Sequence, residues 1–172
     1  MQWTAPDYPR QDEPFVAGER AMLEGFLDWY RASLLARCSG LAGAQLAERA
    51  VPPSNLSLLG LVRHLTDVER TWFRMRFGAE QIDSVHSRPE RPDAAFEDAA
   101  GANAERDLGR LAAEQEAARR VVARLPLNAV YLSDRWGEMS LRWAYSHMIA
   151  EYSGHCGHAD LIRERIDGRT GW

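Results

Sequence analysis

The sequence predicts an all-α fold, namely a four-helix bundle in which a long crossover joins the second and third helices. Two observations lead to this prediction. Four segments carry apolar residues at helical spacing, and caps or helix breakers bound them. No segment shows the strict alternation typical of a half-buried strand, although residues 127–139 have room for a short extended piece. A chain of 172 residues fits one domain, so residues 1–172 are predicted to form a single one.

The four predicted helices span roughly residues 14–38, 54–78, 104–125 and 140–166. Gly78 is expected to end the second helix, and Ser140 is expected to cap the fourth, with Gly168 just beyond its end. The polar stretch 79–101 contains Pro89 and Pro92. It is therefore interpreted as a crossover connection rather than as a packed element.

Composition excludes several functional classes. The formal net charge is −4 and every one of the 21 basic residues is arginine, without a basic block, which argues against nucleic-acid binding. No apolar stretch is long enough to cross a bilayer, and the polar N-terminus does not resemble a signal peptide, so a cytoplasmic protein is predicted. Cys38 and Cys156 lie far apart without a CxxC pair, which argues against a disulfide framework or a zinc ribbon.

The fourth helix carries two polar side chains on its apolar face. At about 100° per residue, one stripe of this helix is predicted to face the core. Glu151 and His155 lie within that stripe, one turn apart. The apolar members of the stripe are Leu141, Ala144, Met148, Tyr152, Ala159, Ile162 and Ile166. An ionised glutamate in such a place is costly unless it pairs with a cation.

The second helix has a similar feature, because His64 lies at the border of its predicted buried face. Facing helices of a bundle can build a metal site from such side chains, and His64, Glu151 and His155 are the predicted ligands. Two interpretations stay open: a lone histidine is usually a surface or core residue, and Glu151 could instead pair with Arg63 or Arg142.

The ligand types indicate which ions would bind. Imidazole and carboxylate suit zinc, which we favour, and leave nickel, iron or manganese as alternatives. Structural zinc sites usually close with four ligands, whereas three protein ligands leave one position for a substrate.

Other candidate residues carry weaker signals. His158 lies at the edge of the stripe and could be a fourth ligand, a partner of a ligand or a general base; we favour a role in the pocket. His147 is expected to be partly exposed, and His86, in a polar loop, carries no signal. Cys156 is interpreted as a packing residue. Trp72 and Trp143 are expected to be core or interface residues.

Two motifs resemble a known family. The segment GLVRHLTDVERTWF in the second helix and the segment HMIAEYSGHCGHADLIRERIDG in the fourth are similar to the DinB-like superfamily, in particular to its actinobacterial branch. The resemblance implies a four-helix bundle with a metal triad, which carries over to His64, Glu151 and His155. Many relatives have histidine where this chain has Glu151; glutamate at that position resembles the subgroup of mycothiol-dependent maleylpyruvate isomerase.

The resemblance also implies a function. It predicts a metal-dependent S-transferase or isomerase that uses mycothiol as thiol co-substrate and acts on an electrophilic small molecule. From its position one turn beyond His155, we expect His158 to be a proton carrier in that reaction. The metal would take the thiol into its open position and favour the thiolate. A metal-dependent hydrolase, or a non-enzymatic metal-binding or small-molecule-binding stress protein, remains an alternative, and a homodimer is compatible with the sequence.

Overall fold

The computed structural model describes residues 2–10 and 12–170, and helices dominate this part of the chain. Within it, six α-helices and one antiparallel pair of strands are assigned. The helices are α1 (Glu19–Ala36), α2 (Gly43–Leu46), α3 (Leu58–Glu69), α4 (Ala94–Glu97), α5 (Ala104–Val122) and α6 (Leu141–Asp167), and the strands are β1 (Val130–Ser133) and β2 (Gly137–Ser140). The predicted helical class is confirmed, with a small sheet added. None of the described helices is both long enough and apolar enough to cross a membrane.

The long helices α1, α3, α5 and α6 share one hydrophobic core. Helix α1 packs along α6, and α3 packs against both α5 and α6. Fully buried side chains from all four helices meet there, among them Leu27, Leu34, Leu61, Leu65, Leu111, Met148 and Tyr152. The apolar stripes recognised in the sequence are therefore the surfaces that pack, as expected for amphipathic helices.

A buried polar network connects the same four helices. The guanidinium of Arg31 on α1 donates two hydrogen bonds to the carboxylate of Glu69 on α3, at 2.7 and 2.6 Å. The hydroxyl of Tyr152 on α6 donates to the same carboxylate at 2.8 Å and accepts from Gln115 on α5 at 3.0 Å. Because each buried polar group has a partner, the network fixes the helices relative to one another without a large desolvation penalty.

Helix α3 continues beyond Glu69 as a π-helical segment, Arg70–Phe77. At its end the N–H of Gly78 donates to the C=O of Phe73, five residues earlier, at 2.9 Å. The predicted helix end at Gly78 is thus confirmed. A π-helical turn contains more residues than an α-helical turn, so it changes which side chains point inward, and such turns often occur at functional sites.

The connection between α3 and α5 is packed, so the prediction of an unpacked crossover was wrong. The buried carboxylate of Asp67 on α3 accepts hydrogen bonds from the N–H groups of residues 85–87, at 2.6, 3.0 and 2.8 Å. The guanidinium of Arg63 donates to the C=O of Ala95 in α4 at 2.8 Å. Backbone groups of the connection therefore satisfy two buried side chains of α3, and a polarity pattern cannot reveal this.

Strands β1 and β2 form a hairpin that leads directly into α6. The register pairs Val130 with Ser140 and Ser133 with Gly137, where the φ angle is 75°. This hairpin is the short extended piece expected within residues 127–139. The hydroxyl of Ser140 accepts the N–H of Trp143 at 3.2 Å, so the predicted cap of α6 is confirmed.

The arginines that were considered as partners of Glu151 bind other carboxylates. The guanidinium of Arg63 pairs with the fully buried Asp107 at 2.9 Å. That of Arg142 pairs with Glu19 on α1 at 2.6 Å. Both ion-pair alternatives for Glu151 were therefore wrong.

Candidate metal centre and adjoining cavity

Helices α3 and α6 bring His64, Glu151 and His155 together. One carboxylate oxygen of Glu151 lies 3.0 Å from Nε2 of His64 and 3.2 Å from Nε2 of His155. Each of the three residues offers a donor atom, and these atoms lie within 4.8 Å of one another. The side chains of His64, Glu151 and His155 are 28, 26 and 16% exposed, respectively, so the cluster is partly open to solvent.

The spacing of these donor atoms fits a divalent ion. Zinc with ligands at about 2.0–2.2 Å in tetrahedral geometry places neighbouring donor atoms about 3.3 Å apart. The two distances from the Glu151 oxygen, 3.0 and 3.2 Å, are close to this value. Two imidazole nitrogens and one carboxylate oxygen suit zinc and also nickel, iron and manganese.

Electrostatics keep Glu151 ionised. Hydrogen bonds from His155 and His64 hold the pKa of this carboxyl well below its usual range, although partial burial acts in the opposite direction. An ionised carboxylate at the centre of the cluster is the form that ligates a cation, and it offsets part of the charge of a divalent ion.

Other side chains also contact the rings of His64 and His155. The ring of His64 stacks on Phe96 of α4 at 5.1 Å between centroids and an interplanar angle of 27°. The packed connection therefore contributes directly to the orientation of His64. Nδ1 of His155 lies 3.3 Å from Nδ1 of His158, one turn further along α6.

The exposed His158 contacts the ring edge of His155 that points away from Glu151. When Nε2 of a histidine is a ligand atom, the ring proton lies on Nδ1 and needs an acceptor. Nδ1 of His158 is placed to accept it. His158 therefore contacts His155, one of the three candidate ligands.

An aromatic cavity of about 570 Å³ adjoins the cluster along α6. Its volume lies within the range of small-molecule sites, about 300–1,000 Å³. The lining residues are Trp72, Trp136, Glu138, Met139, Ser140, Trp143 and His147. Trp72 and Trp143 were expected to be core or interface residues. No sequence pattern indicates this cavity, because its walls come from the π-helical segment, the hairpin and α6.

His147 connects the cavity with the cluster. It lies one helical turn before Glu151 and is partly exposed, as predicted. Its ring stacks in parallel on Trp143, at 4.9 Å and 6°. Burial lowers the pKa of His147, the charge of Arg76 adds to this effect, and the charge of Glu151 opposes it. The cavity thus lies within electrostatic reach of the cluster.

The cysteines and His86 lie outside the cluster. Burial raises the pKa of Cys38 to about 12 and that of Cys156 to about 11, so neither side chain is a thiolate near neutral pH. His86 was dismissed as a loop residue, but it is buried against α3, and burial lowers its pKa to about 4. Its role is in the packing of the connection.

The mostly helical architecture and the histidine–glutamate–histidine cluster on two long helices agree with the resemblance to DinB-like proteins. Residues 22–168 match the family model described as mycothiol S-transferase. The chain therefore belongs to the mycothiol S-transferase family. Searches of curated proteins and of solved structures returned no significant match.

Proposed function

We propose that this chain is a metal-dependent transferase that joins the sulfur of mycothiol to an electrophilic small molecule. The observation that carries the proposal is the convergence of three metal-ligating side chains from two helices, one turn along α6 from an aromatic cavity. Membership of the mycothiol S-transferase family supports the choice of thiol. The proposal includes a four-helix bundle of the DinB-like type, formed by α1, α3, α5 and α6.

His64, Glu151 and His155 would hold the ion, and zinc is the favoured one. Such an ion would act as a Lewis acid and lower the pKa of a bound thiol below its usual value of about 8.5. Three protein ligands leave a position open for that thiol. In the overall reaction the sulfur of the thiol bonds to a carbon of the electrophile, and the leaving group departs with its electron pair. The proton of the thiol passes to the solvent or to the leaving group. An isomerase would share the loss of the thiol proton and the formation of the sulfur–carbon bond.

The chain itself contributes binding and orientation. Aromatic walls of the cavity would bind the apolar part of the electrophile and exclude water from it. Glu151 would keep its negative charge between the two imidazoles, because its carboxyl has a lowered pKa. Neither cysteine is available as an internal nucleophile, so the reacting sulfur must come from a bound thiol.

For His158 we propose a positioning role, since its Nδ1 meets the outer nitrogen of His155. The role of proton carrier, predicted from the position of His158 in the sequence, stays a prediction. The variant His158→Gln separates the two. Loss of positioning lowers metal affinity about tenfold or more. Loss of a proton carrier lowers kcat, changes its pH profile and leaves metal affinity intact.

The proposal is tested on protein purified without a chelator or a metal-affinity tag. Elemental analysis should give about one divalent ion per chain, and His64→Ala and His155→Ala should lose it, whereas Glu164→Gln, an exposed change on α6, should retain it. With mycothiol and an electrophile, free thiol should disappear at a rate that depends on the metal. In cobalt-substituted protein, mycothiol should add a sulfur-to-metal charge-transfer band.

Three outcomes would contradict the proposal. Equal metal retention in the two histidine variants would overturn the ligand assignment. Metal-dependent cleavage of an ester or amide in the absence of any thiol, with no thiol consumed, would indicate a hydrolase. A bound ion together with neither activity would indicate a binding protein.

A further inference from the structure

Strand β1 has an outer edge whose backbone groups point away from the rest of the molecule. The N–H of Leu141 donates to the C=O of Ala129 at 2.8 Å, so the pair just before β1 is hydrogen bonded. Hydrogen-bonded and non-hydrogen-bonded pairs alternate along an antiparallel ladder, so Val130 and Leu132 belong to non-hydrogen-bonded pairs. Their N–H and C=O groups therefore point away from β2. Among the described residues, no backbone hydrogen bond from another element reaches them.

The side chains of this edge are apolar and exposed. Residues two apart lie on the same face of a strand, and Val130 and Leu132 are 54 and 69% exposed. Tyr131, between them, faces the opposite way, and its ring centroid lies 6.3 Å from that of Phe77. An exposed apolar edge of this kind is a template for pairing with another strand.

More exposed apolar side chains lie near the two ends of the hairpin. At its base, residues 125–129, the N–H of Arg142 donates to the C=O of residue 127 at 2.9 Å, and the guanidinium of Arg142 pairs with Glu19 at 2.6 Å. Phe15 and Val16 come four and three residues before Glu19, so they lie near this base, and they are 82 and 95% exposed. At the tip, residues 134–136, Trp136 is 56% exposed. Five of the seven large apolar side chains that are exposed in the described part of the chain thus lie along the hairpin.

The two ends of the hairpin carry different charges. Asp134 in the tip and Glu138, just after the tip, are exposed carboxylates. Arg135 offsets one of these charges, and its guanidinium carbon lies 4.9 Å from the ring centroid of Trp136. Arg124, directly before the base, is exposed and positive. When two such hairpins pair antiparallel, the acidic tip of each lies beside the basic base of the other, which favours their association.

We propose that the β1 edge binds the β1 edge of a second copy of this chain. The two strands run antiparallel about a two-fold axis, so the two hairpins form one four-stranded sheet. Because Val130 and Leu132 carry the outward backbone groups, Val130 of each copy lies opposite Leu132 of the other. Phe15 and Val16 of each copy then lie near Trp136 of the other.

A second copy fits this surface better than a lipid membrane does. The interface gathers ten large apolar side chains, five from each copy, which corresponds to a buried area of roughly 1,200 Å², the lower limit for a stable and specific dimer. A bilayer cannot satisfy the free backbone groups of the edge, whereas a second strand does. The inference goes beyond the proposed function and depends neither on the metal nor on the thiol.

The first test is sedimentation velocity of the full chain over a series of protein concentrations, with chelator present and without mycothiol. The single chain has a mass of 19.4 kDa, and we expect a second species of twice this mass. For an interface of this size half of the chains should be paired at roughly 1–10 μM.

Two variants of Leu132 test the edge itself. Leu132→Pro removes one outward N–H and keeps the hydrogen bonds between β1 and β2, because proline is tolerated where the N–H of an edge strand faces solvent. Leu132→Thr keeps the backbone groups and removes the apolar contact, and it covers the case in which the proline variant does not fold. Each variant should weaken the dimer about tenfold or more. Leu161→Gln, a change of another exposed leucine, on α6, is the matched control and should leave the dimer unchanged.

The register is tested with single cysteines. Opposite residues of a hydrogen-bonded pair have Cα atoms about 5.5 Å apart, which a disulfide can bridge, whereas diagonal neighbours lie about 7–8 Å apart. On oxidation with diamide, a mixture of Val130→Cys and Leu132→Cys chains should therefore form cross-linked dimers at least several times faster than either variant alone. Cys38 and Cys156 are buried and do not compete.

A wild-type chain that stays monomeric up to about 100 μM would overturn the proposal. A monomer that instead binds vesicles of phosphatidylcholine and phosphatidylglycerol would assign the apolar end to a lipid surface. A dimer of unchanged affinity in both Leu132 variants would show that β1 is not the interface, and equal cross-linking of the mixture and the single variants would overturn the register. None of these results depends on transferase activity, so the proposed function can fail while the dimer stands.

Discussion

Glu151→Gln removes one negative charge from the centre of the candidate metal centre and leaves a side chain of nearly the same shape. In the metal-free protein the amide oxygen can still accept a hydrogen bond from the histidines. Hydrogen bonds to charged groups contribute about 1 kcal/mol more than neutral ones. Because the Glu151 side chain is 26% exposed, solvent screens part of this difference, and we expect a loss of about 1 kcal/mol. For a chain of this length that corresponds to about 2–4 °C in Tm.

The effect on metal binding should be larger. At a metal concentration 100 times the Kd, a bound ion stabilises the fold by about 2.7 kcal/mol, so a chelator should lower the Tm of the wild type by about 5–11 °C. Glu151→Gln should lose most of this chelator-sensitive shift. Thermal unfolding followed by circular dichroism, with free zinc at 100 times the Kd or with chelator, measures both quantities on the same protein preparation.

The control for this experiment is Glu164→Gln, which removes a charge from an exposed position of the same helix. It should retain the full chelator-sensitive shift. The reasoning would be refuted if Glu151→Gln and the wild type responded equally to chelator. A drop of more than about 10 °C in chelated Glu151→Gln would instead indicate a structural ion pair, since breaking one costs about 3–5 kcal/mol.

The lowered pKa of Glu151 also leads us to expect that the stability of the metal-free protein changes in acid. Its pKa in the folded state is lowered below the usual value of 4.5, so ionised Glu151 stabilises the fold fully above pH 4.5. This contribution is lost as the pH falls through the lowered folded pKa. The difference in unfolding free energy between the wild type and Glu151→Gln, measured by urea titration, should therefore shrink in acid. A difference that grew below pH 4.5 would contradict the assignment.

Further changes test the surroundings of the site. Glu69→Gln removes the negative charge that compensates the buried guanidinium of Arg31. It should lower the free energy of unfolding by about 3 kcal/mol, and an unchanged urea midpoint would contradict this. Phe96→Ala removes the ring that stacks on His64 and should weaken metal binding about tenfold in competition with a chromophoric chelator; equal affinity would show that the stack does not position the ligand. Cys38 and Cys156, buried and with raised pKa values, should react with an aromatic disulfide reagent at pH 8 only on unfolding; rapid labelling of the native protein would be inconsistent with their burial.

Local signals explain why much of the helical architecture could be predicted from the sequence. Ser140 and Gly78 mark helix ends through short-range geometry, and the structure places both at those ends. Glu151 and His155 could be recognised as candidates because polar groups on an apolar stripe are costly to bury unless they have a partner. The structure brings His64 to them from α3, so the three predicted residues do lie together.

Features that depend on long-range contacts could not be predicted. The π-helical form of residues 70–77 follows from a hydrogen-bond register that composition does not encode. The cavity requires Trp72 and Trp136 to meet across 64 positions of sequence, through a hairpin that showed only as a weak extended signal. The packing of residues 79–103 depends on Arg63 and Asp67, whose side chains read in the sequence as ordinary polar residues of a helix.

The carboxylate of Asp67 binds three successive backbone amides in a stretch without regular secondary structure. Such amides usually exchange their hydrogens with solvent quickly when they lie in loops, whereas amides held by a buried acceptor exchange only when the region opens. The amides of residues 85–87 should therefore exchange as slowly as those of a helix. We therefore expect the segment 85–96, which leads to Phe96 beside His64, to be as rigid as the helices, and loosening Asp67 to free this whole segment.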